Sequence, residues 1–95
     1  MNSGHFIFRL HAIRRMFERK INEADIKKIV QTGEVIEDYP TDTPYPSKLM
    51  LGWCRARPLH IVVAENKIDK EIIIVTVYEP SLNFWDADCK RRKQK

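Results

Sequence analysis

Glycine is scarce in this chain: three among 95 residues, at Gly4, Gly33 and Gly52. They stand far apart, so no glycine-rich phosphate loop is available and a nucleotide-cofactor enzyme is not expected. Cysteine is scarcer still, with Cys54 and Cys89 alone and no Cys-x-x-Cys spacing. There is no His-x-x-x-His pair and no carboxylate cluster beside a histidine, so neither a metal nor another cofactor is expected. Two lone thiols fit a reducing compartment, and a cytoplasmic location is the expectation. No apolar run reaches the roughly 18 residues of a membrane span. The start, Met1-Asn2-Ser3-Gly4-His5, lacks the basic-then-apolar order of a secretory signal.

What is present is enough for one small domain with one core: 43% hydrophobic residues, many of them Ile and Val in strand-like runs. The net charge of +4 is unevenly spread. Lys90-Arg91-Arg92-Lys93-Gln94-Lys95 carries five positive charges, and without them 12 Lys and Arg face 13 acids. The reading is a near-neutral domain over residues 1–89 and a flexible basic tail over 90–95, able to attract phosphate or merely to solubilise the end. Within the body, residues 9–28 are basic and residues 34–42 acidic. A local basic surface can draw nucleic acid where the whole body does not.

The basic region centres on His11-Ala12-Ile13-Arg14-Arg15-Met16-Phe17-Glu18-Arg19. As a helix it has two stripes. Ala12, Ile13, Met16 and Phe17 are apolar, and His11, Arg15 and Arg19 follow at i, i+4, i+8. Guanidinium forks suit phosphate oxygens, and an imidazole moves protons near neutral pH. A solvated helix face would show the same stripe.

Phe6 to Leu10 reads as a short edge strand. Helix one, from His11 to Lys20, has no good N-cap ahead of it. Helix two is better marked: Asn22 as cap, Ile21 and Ile26 as a hydrophobic staple, and Gly33 as a left-handed stop. Strands follow at 35–39, 48–54 (with Gly52 a possible bulge), 59–65 and 72–78, the last two central and joined as a hairpin. The predicted fold is α+β, two consecutive helices packed on an antiparallel sheet.

Polar residues interrupt the apolar hairpin. With Glu65 opposite Glu71, His60 opposes Thr76 and Tyr78 lies near the same strand ends, Thr76 and Tyr78 sharing a face with Ile72 and Ile74. The polar groups either satisfy one another in the core or line a site. Lys48 and Arg57 enter neighbouring strands and are expected at the same edge, or as ordinary solvated strand ends.

Three motifs carry a family resemblance: His11-Ala12 with Arg15, Met16 and Arg19; Arg57-Pro58-Leu59-His60; and Val75-Thr76-Val77-Tyr78-Glu79-Pro80 with Trp85. In this order, from about Phe8 to Trp85, they resemble a small bacterial domain family of unknown function. That family is similar to RelE-like toxin ribonucleases of toxin–antitoxin systems, some members resembling partners of a zinc-finger antitoxin. The resemblance implies a RelE-like fold and a metal-independent endoribonuclease cleaving RNA by 2′-hydroxyl attack. It departs from the family at Arg9-Leu10, where a small capping residue is expected.

Such chemistry needs a base, an acid and cations on the phosphoryl group. His11, Arg15, His60 and Tyr78 are the candidates for catalysis, and Arg14, Arg19, Lys48 and Arg57 for RNA binding. The alternative is a noncatalytic module binding RNA or a protein through the same basic helix face. The catalytic reading requires His11 or His60 within reach of Arg15 or Arg19 in an open cleft. His11, Arg15 and Arg19 are expected to converge with His60 and Tyr78 at the rim of the sheet, helix one covering the sheet with its apolar stripe.

Overall fold

The computed structural model describes residues 4–93. The chain runs β1 (His5–Phe8), α1 (Leu10–Arg19), α2 (Glu23–Thr32), β2 (Glu34–Tyr39), β3 (Ser47–Cys54), β4 (Arg57–Asn66) and β5 (Glu71–Tyr78). The strands form one sheet ordered β1-β5-β4-β3-β2. The two helices pack on one of its faces, giving the α+β fold that the sequence predicts. The sheet is mixed, because β1 joins the β5 edge in parallel while β2 to β5 pair antiparallel.

Alternation divides the strands between two faces. Leu59, Ile61 and Val63 of β4 join Ile72, Ile74 and Val77 of β5 under the helices, with Ala12, Ile26, Ile29 and Val30 above them. His60, Val62 and Ala64 point to the other face. The hairpin register departs from the expected one by one residue at one end, where Glu65 faces Ile72, and by two at the other, where His60 faces Tyr78. A bulge then shifts pairing from Val62↔Thr76 to Val63↔Ile74, leaving Val75 unmatched. Thr76 and Tyr78 therefore lie opposite to Ile72 and Ile74, not beside them.

Asn22 caps α2, its Oδ1 accepting the Asp25 N–H at 2.9 Å. Gly33 does not close it in the left-handed region; its φ is −76°. Glycine is needed there for space, since a Cβ would come within 2.6 Å of the Ile29 carbonyl oxygen and 2.7 Å of that of Leu51. Gly52 is likewise no bulge. It pairs regularly with Leu59, and a Cβ on it would collide with the Ile29 side chain, so it lets α2 settle on β3.

No side chain caps the start of α1. Its end turns at Lys20, with φ 55°, and the Arg57 guanidinium donates to the carbonyls of Arg19 and Lys20. Those carbonyls have no partner inside the helix. The apolar stripe of α1 is only half used. Ala12 is buried and Met16 half-buried, but Phe17 is 88% exposed and Ile13 48%.

Beyond β5 the chain crosses the second face of the sheet. Trp85 and Cys89 are buried there, and the Asp86 N–H donates to the Arg91 carbonyl at 2.8 Å. Lys90 pairs with Glu34 and Arg92 with Glu37, each at 3.0 Å. The expected basic tail is thus held against β2 through these residues. Gln94 and Lys95 lie outside the described residues.

Candidate functional site

The predicted site residues fall into separate places. His11, Arg14 and Arg19 are exposed on α1, and Arg15 beside them reaches Glu18 at 3.8 Å. His60 and Tyr78 lie on the sheet face that the helices do not cover. The expected convergence of the two sets does not occur, because α1 packs over Ile72 and Ile74 while His60 alternates to the far side.

His60 is fully buried. Its Nε2 lies 2.7 Å from the Cys89 carbonyl oxygen, so Nε2 carries the proton and donates. Nδ1 then accepts from the Tyr78 hydroxyl at 3.3 Å. The Trp85 ring closes over the imidazole edge-on, 4.5 Å between centroids. Burial pushes the His60 pKa below its ordinary value and the Tyr78 pKa above its own. A neutral imidazole with both nitrogens engaged and an indole across it is a packed core group, without room for a substrate proton. Arg92 sits 4.6 Å above the Trp85 ring and binds Glu37 through two hydrogen bonds. That contact holds the Glu37 carboxyl below its usual range.

Lys48 and Arg57 do not share an edge. Antiparallel pairing sets Lys48 opposite Val63 but Arg57 opposite Cys54. Lys48 and Cys54 lie six positions apart along β3, about 20 Å of strand. Arg57 is moreover engaged, bound to Glu79 as well as to the end of α1. Lys48 lines a cavity of about 510 Å³ together with Tyr45 and Ile68.

Sequence reasoning missed the cations around Arg57. Lys20, Arg55 and Arg57 line an open cavity of about 480 Å³ next to Asn22, Asp25 and Cys54. Arg55-Ala56-Arg57, two arginines across a tight turn beside Trp53, was the available signal. At Cys54 a hydrogen bond to Asp25 and burial push the thiol pKa up, and burial does the same for Cys89, which disfavours the thiolate at both. Among the described residues no three His, Cys, Asp or Glu side chains come together as a metal-binding group. No helix of the described chain is long and apolar enough to cross a membrane.

These features define a two-layer α+β domain with a cationic helix surface and a sealed second face. The chain belongs to the family described as a domain of unknown function, DUF4258, which it matches over residues 8–79. The segment carrying Trp85, Cys89 and Arg92 lies beyond that match. No curated protein and no solved structure matches the chain.

Proposed function

We propose that this domain binds RNA, gripping the phosphate backbone through α1. One observation supports this most: His11, Arg14 and Arg19 stand exposed along α1 with Arg15 beside them, while Glu18 is the helix's sole acid. None of these side chains is consumed in holding the fold, whereas Arg57 is. Exposed guanidiniums form two parallel hydrogen bonds to phosphate oxygens and release counterions on doing so. The test is binding of labelled single-stranded RNA across a salt series. Arg14→Ala, Arg15→Ala and Arg19→Ala should each weaken binding, and the slope of log affinity against log salt should fall by about 0.7 per lost contact. Unchanged affinity and slope in all three would refute the reading.

A sharper second reading is the endoribonuclease toxin of a toxin–antitoxin pair. It is favoured by His11 standing one helical turn from Arg15 on an accessible surface, a proton-transfer group beside a phosphate-binding cation. It is also favoured by Leu10, Ile13 and Phe17, 63%, 48% and 88% exposed on the same helix, where a protein partner such as a zinc-finger antitoxin would find apolar surface. It ranks second because 2′-hydroxyl attack needs both a base and an acid, and this face holds one imidazole. His11→Ala should lower RNA cleavage about 100-fold if His11 carries the proton. Wild-type protein that binds RNA and leaves it intact, on ribosomes as well as free, is the outcome that discards cleavage.

A further inference from the structure

Three cavities adjoin along the seam between α2 and the β3–β4 turn. The first, lined by Lys20 and Arg57, shares Asp25, Cys54 and Arg55 with a second of about 220 Å³. The second shares Lys28, Ile29 and Trp53 with a third of about 280 Å³ that ends at Lys90. Shared walls make them one groove. It starts where α1 ends, because Arg57 at its mouth also holds the carbonyls of Arg19 and Lys20.

The groove's charge is positive. Lys20, Lys28, Arg55, Arg57 and Lys90 line it against Asp25 and Glu34. Glu34 is already neutralised by Lys90 at 3.0 Å, and Arg57 by Glu79. Lys20, Lys28 and Arg55 make no salt bridge among the described residues, so three cations remain to face a ligand. Trp53, 53% exposed, lines the second and third cavities. It lies beyond the last β2–β3 pair, Glu34↔Leu51, so β2 leaves that edge of β3 open, while Pro58 of β4 pairs with it on the other side. Gly52 faces Ile29, so by alternation the Trp53 Cβ leaves the sheet on the face away from α2, across the open edge from Lys28. Its half-exposed indole leaves surface on which a second ring can stack. Among cations it has the layout of a single-strand site, in which bases stack on an aromatic ring and phosphates follow the charge.

We infer that this groove binds single-stranded RNA, with an unpaired base stacked on Trp53 and the flanking phosphates on Lys28 and Arg55. The inference rests on the RNA-binding reading above and adds to it a second contact surface and a requirement for unpaired bases. A duplex, whose bases are already stacked, has nothing to place on Trp53.

The test compares a labelled 12-residue oligouridylate with an abasic ribose-phosphate oligomer of equal length and charge, by fluorescence anisotropy at fixed salt. Wild type should prefer the oligouridylate. Trp53→Ala should weaken oligouridylate binding about tenfold and leave the abasic oligomer unaffected, while Trp53→Phe should retain most of the preference. Lys28→Ala and Arg55→Ala should weaken both ligands alike and lower the salt slope. Trp53 is half exposed, so unchanged thermal unfolding can verify that each variant is folded. Equal binding of the two oligomers by wild type, or full oligouridylate affinity in Trp53→Ala, overturns the groove while leaving RNA binding through α1 standing. No RNA binding by wild type at low salt removes both. A groove that instead captures a protein would show as RNA-indifferent variants and is counted with the failures.

Discussion

On the helix-covered face, β4 contributes Leu59, Ile61 and Val63, each wholly buried among apolar side chains. On the other face the same strand contributes His60, Val62 and Ala64. The buried polar side chains of the described chain, Ser47, His60 and Asn66, all lie on that second face. Each has a partner: Ser47 donates to Asp42 at 2.6 Å, Asn66 to the Tyr45 hydroxyl at 3.1 Å, and His60 is held on both nitrogens. One face is closed by non-directional apolar burial under two helices. The other is closed by a loop, and a loop brings backbone carbonyls that need donors. The Cys89 carbonyl is one, and His60 is the donor that makes its burial tolerable. The comparison teaches that a histidine in a hydrophobic strand can be the adaptor between a sheet and an irregular cover.

Breaking the helix-covered face should cost the most. Leu59→Ala removes a fully buried side chain from beneath the helices, and the surrounding packing cannot fully collapse. The unfolding free energy should fall by about 2–5 kcal/mol, read from urea denaturation. A loss below about 1 kcal/mol would mean that this face is less tightly packed than the interior of a folded domain.

The second face should cost less and should depend on pH. His60→Leu keeps apolar bulk but leaves the Cys89 carbonyl and the Tyr78 hydroxyl unpaired, for about 1–3 kcal/mol at pH 7.5. The His60 pKa is lowered in the folded chain, mainly by burial; Arg92 acts in the same direction, while the Cys89 hydrogen bond and Glu37 oppose it. The unfolded chain titrates near 6.5 and so takes up the proton first as pH falls. Stability supplied by the neutral ring is complete above that value and is lost as pH drops toward the folded-state pKa, with a slope of at most about 1.4 kcal/mol per pH unit. The gap between wild type and His60→Leu should therefore narrow from pH 7.5 to pH 5.5. A constant gap would mean that the ring is not desolvated as its burial implies.

The two faces also differ in how far they could be read from residues alone. α2 was legible because its signals are local: Asn22 caps, and Ile21 and Ile26 are buried in the same cluster. The β4–β5 hairpin was legible from Ile and Val density, but its register was not, since Val75 resembles its neighbours and a bulge there leaves no mark in composition. Alternation showed that His60 is out of step with Leu59 and Ile61. It could not show what covers His60, because Trp85 and Cys89 come from a segment with no periodicity. The groove beside Trp53 was hidden for a related reason. Lys20, Lys28, Arg55 and Lys90 are distant in sequence, and only the seating of α2 over Gly52 brings them to one seam.

The smallest effect belongs to α1, where the sequence pattern is least decisive. Leu10, Ala12, Ile13, Met16 and Phe17 spread over about 160° of the helix circumference, wider than the roughly 100° stripe that a packed helix needs, so periodicity does not say which of them face the sheet. The αL turn at Lys20 and the grip of Arg57 on the helix end fix the rotation, which buries Ala12 and leaves Phe17 in water. Phe17→Ser should then change the unfolding free energy by less than about 0.5 kcal/mol, an order of magnitude below the loss expected at a core phenylalanine. The pairing of this result with Leu59→Ala is the point. A large loss at both would mean that α1 is rotated to bury Phe17, which would carry Arg15 and His11 round with it and dismantle the exposed cationic stripe. A silent Phe17→Ser with a damaging Leu59→Ala keeps the stripe where RNA can reach it and leaves Phe17 itself available to a protein partner.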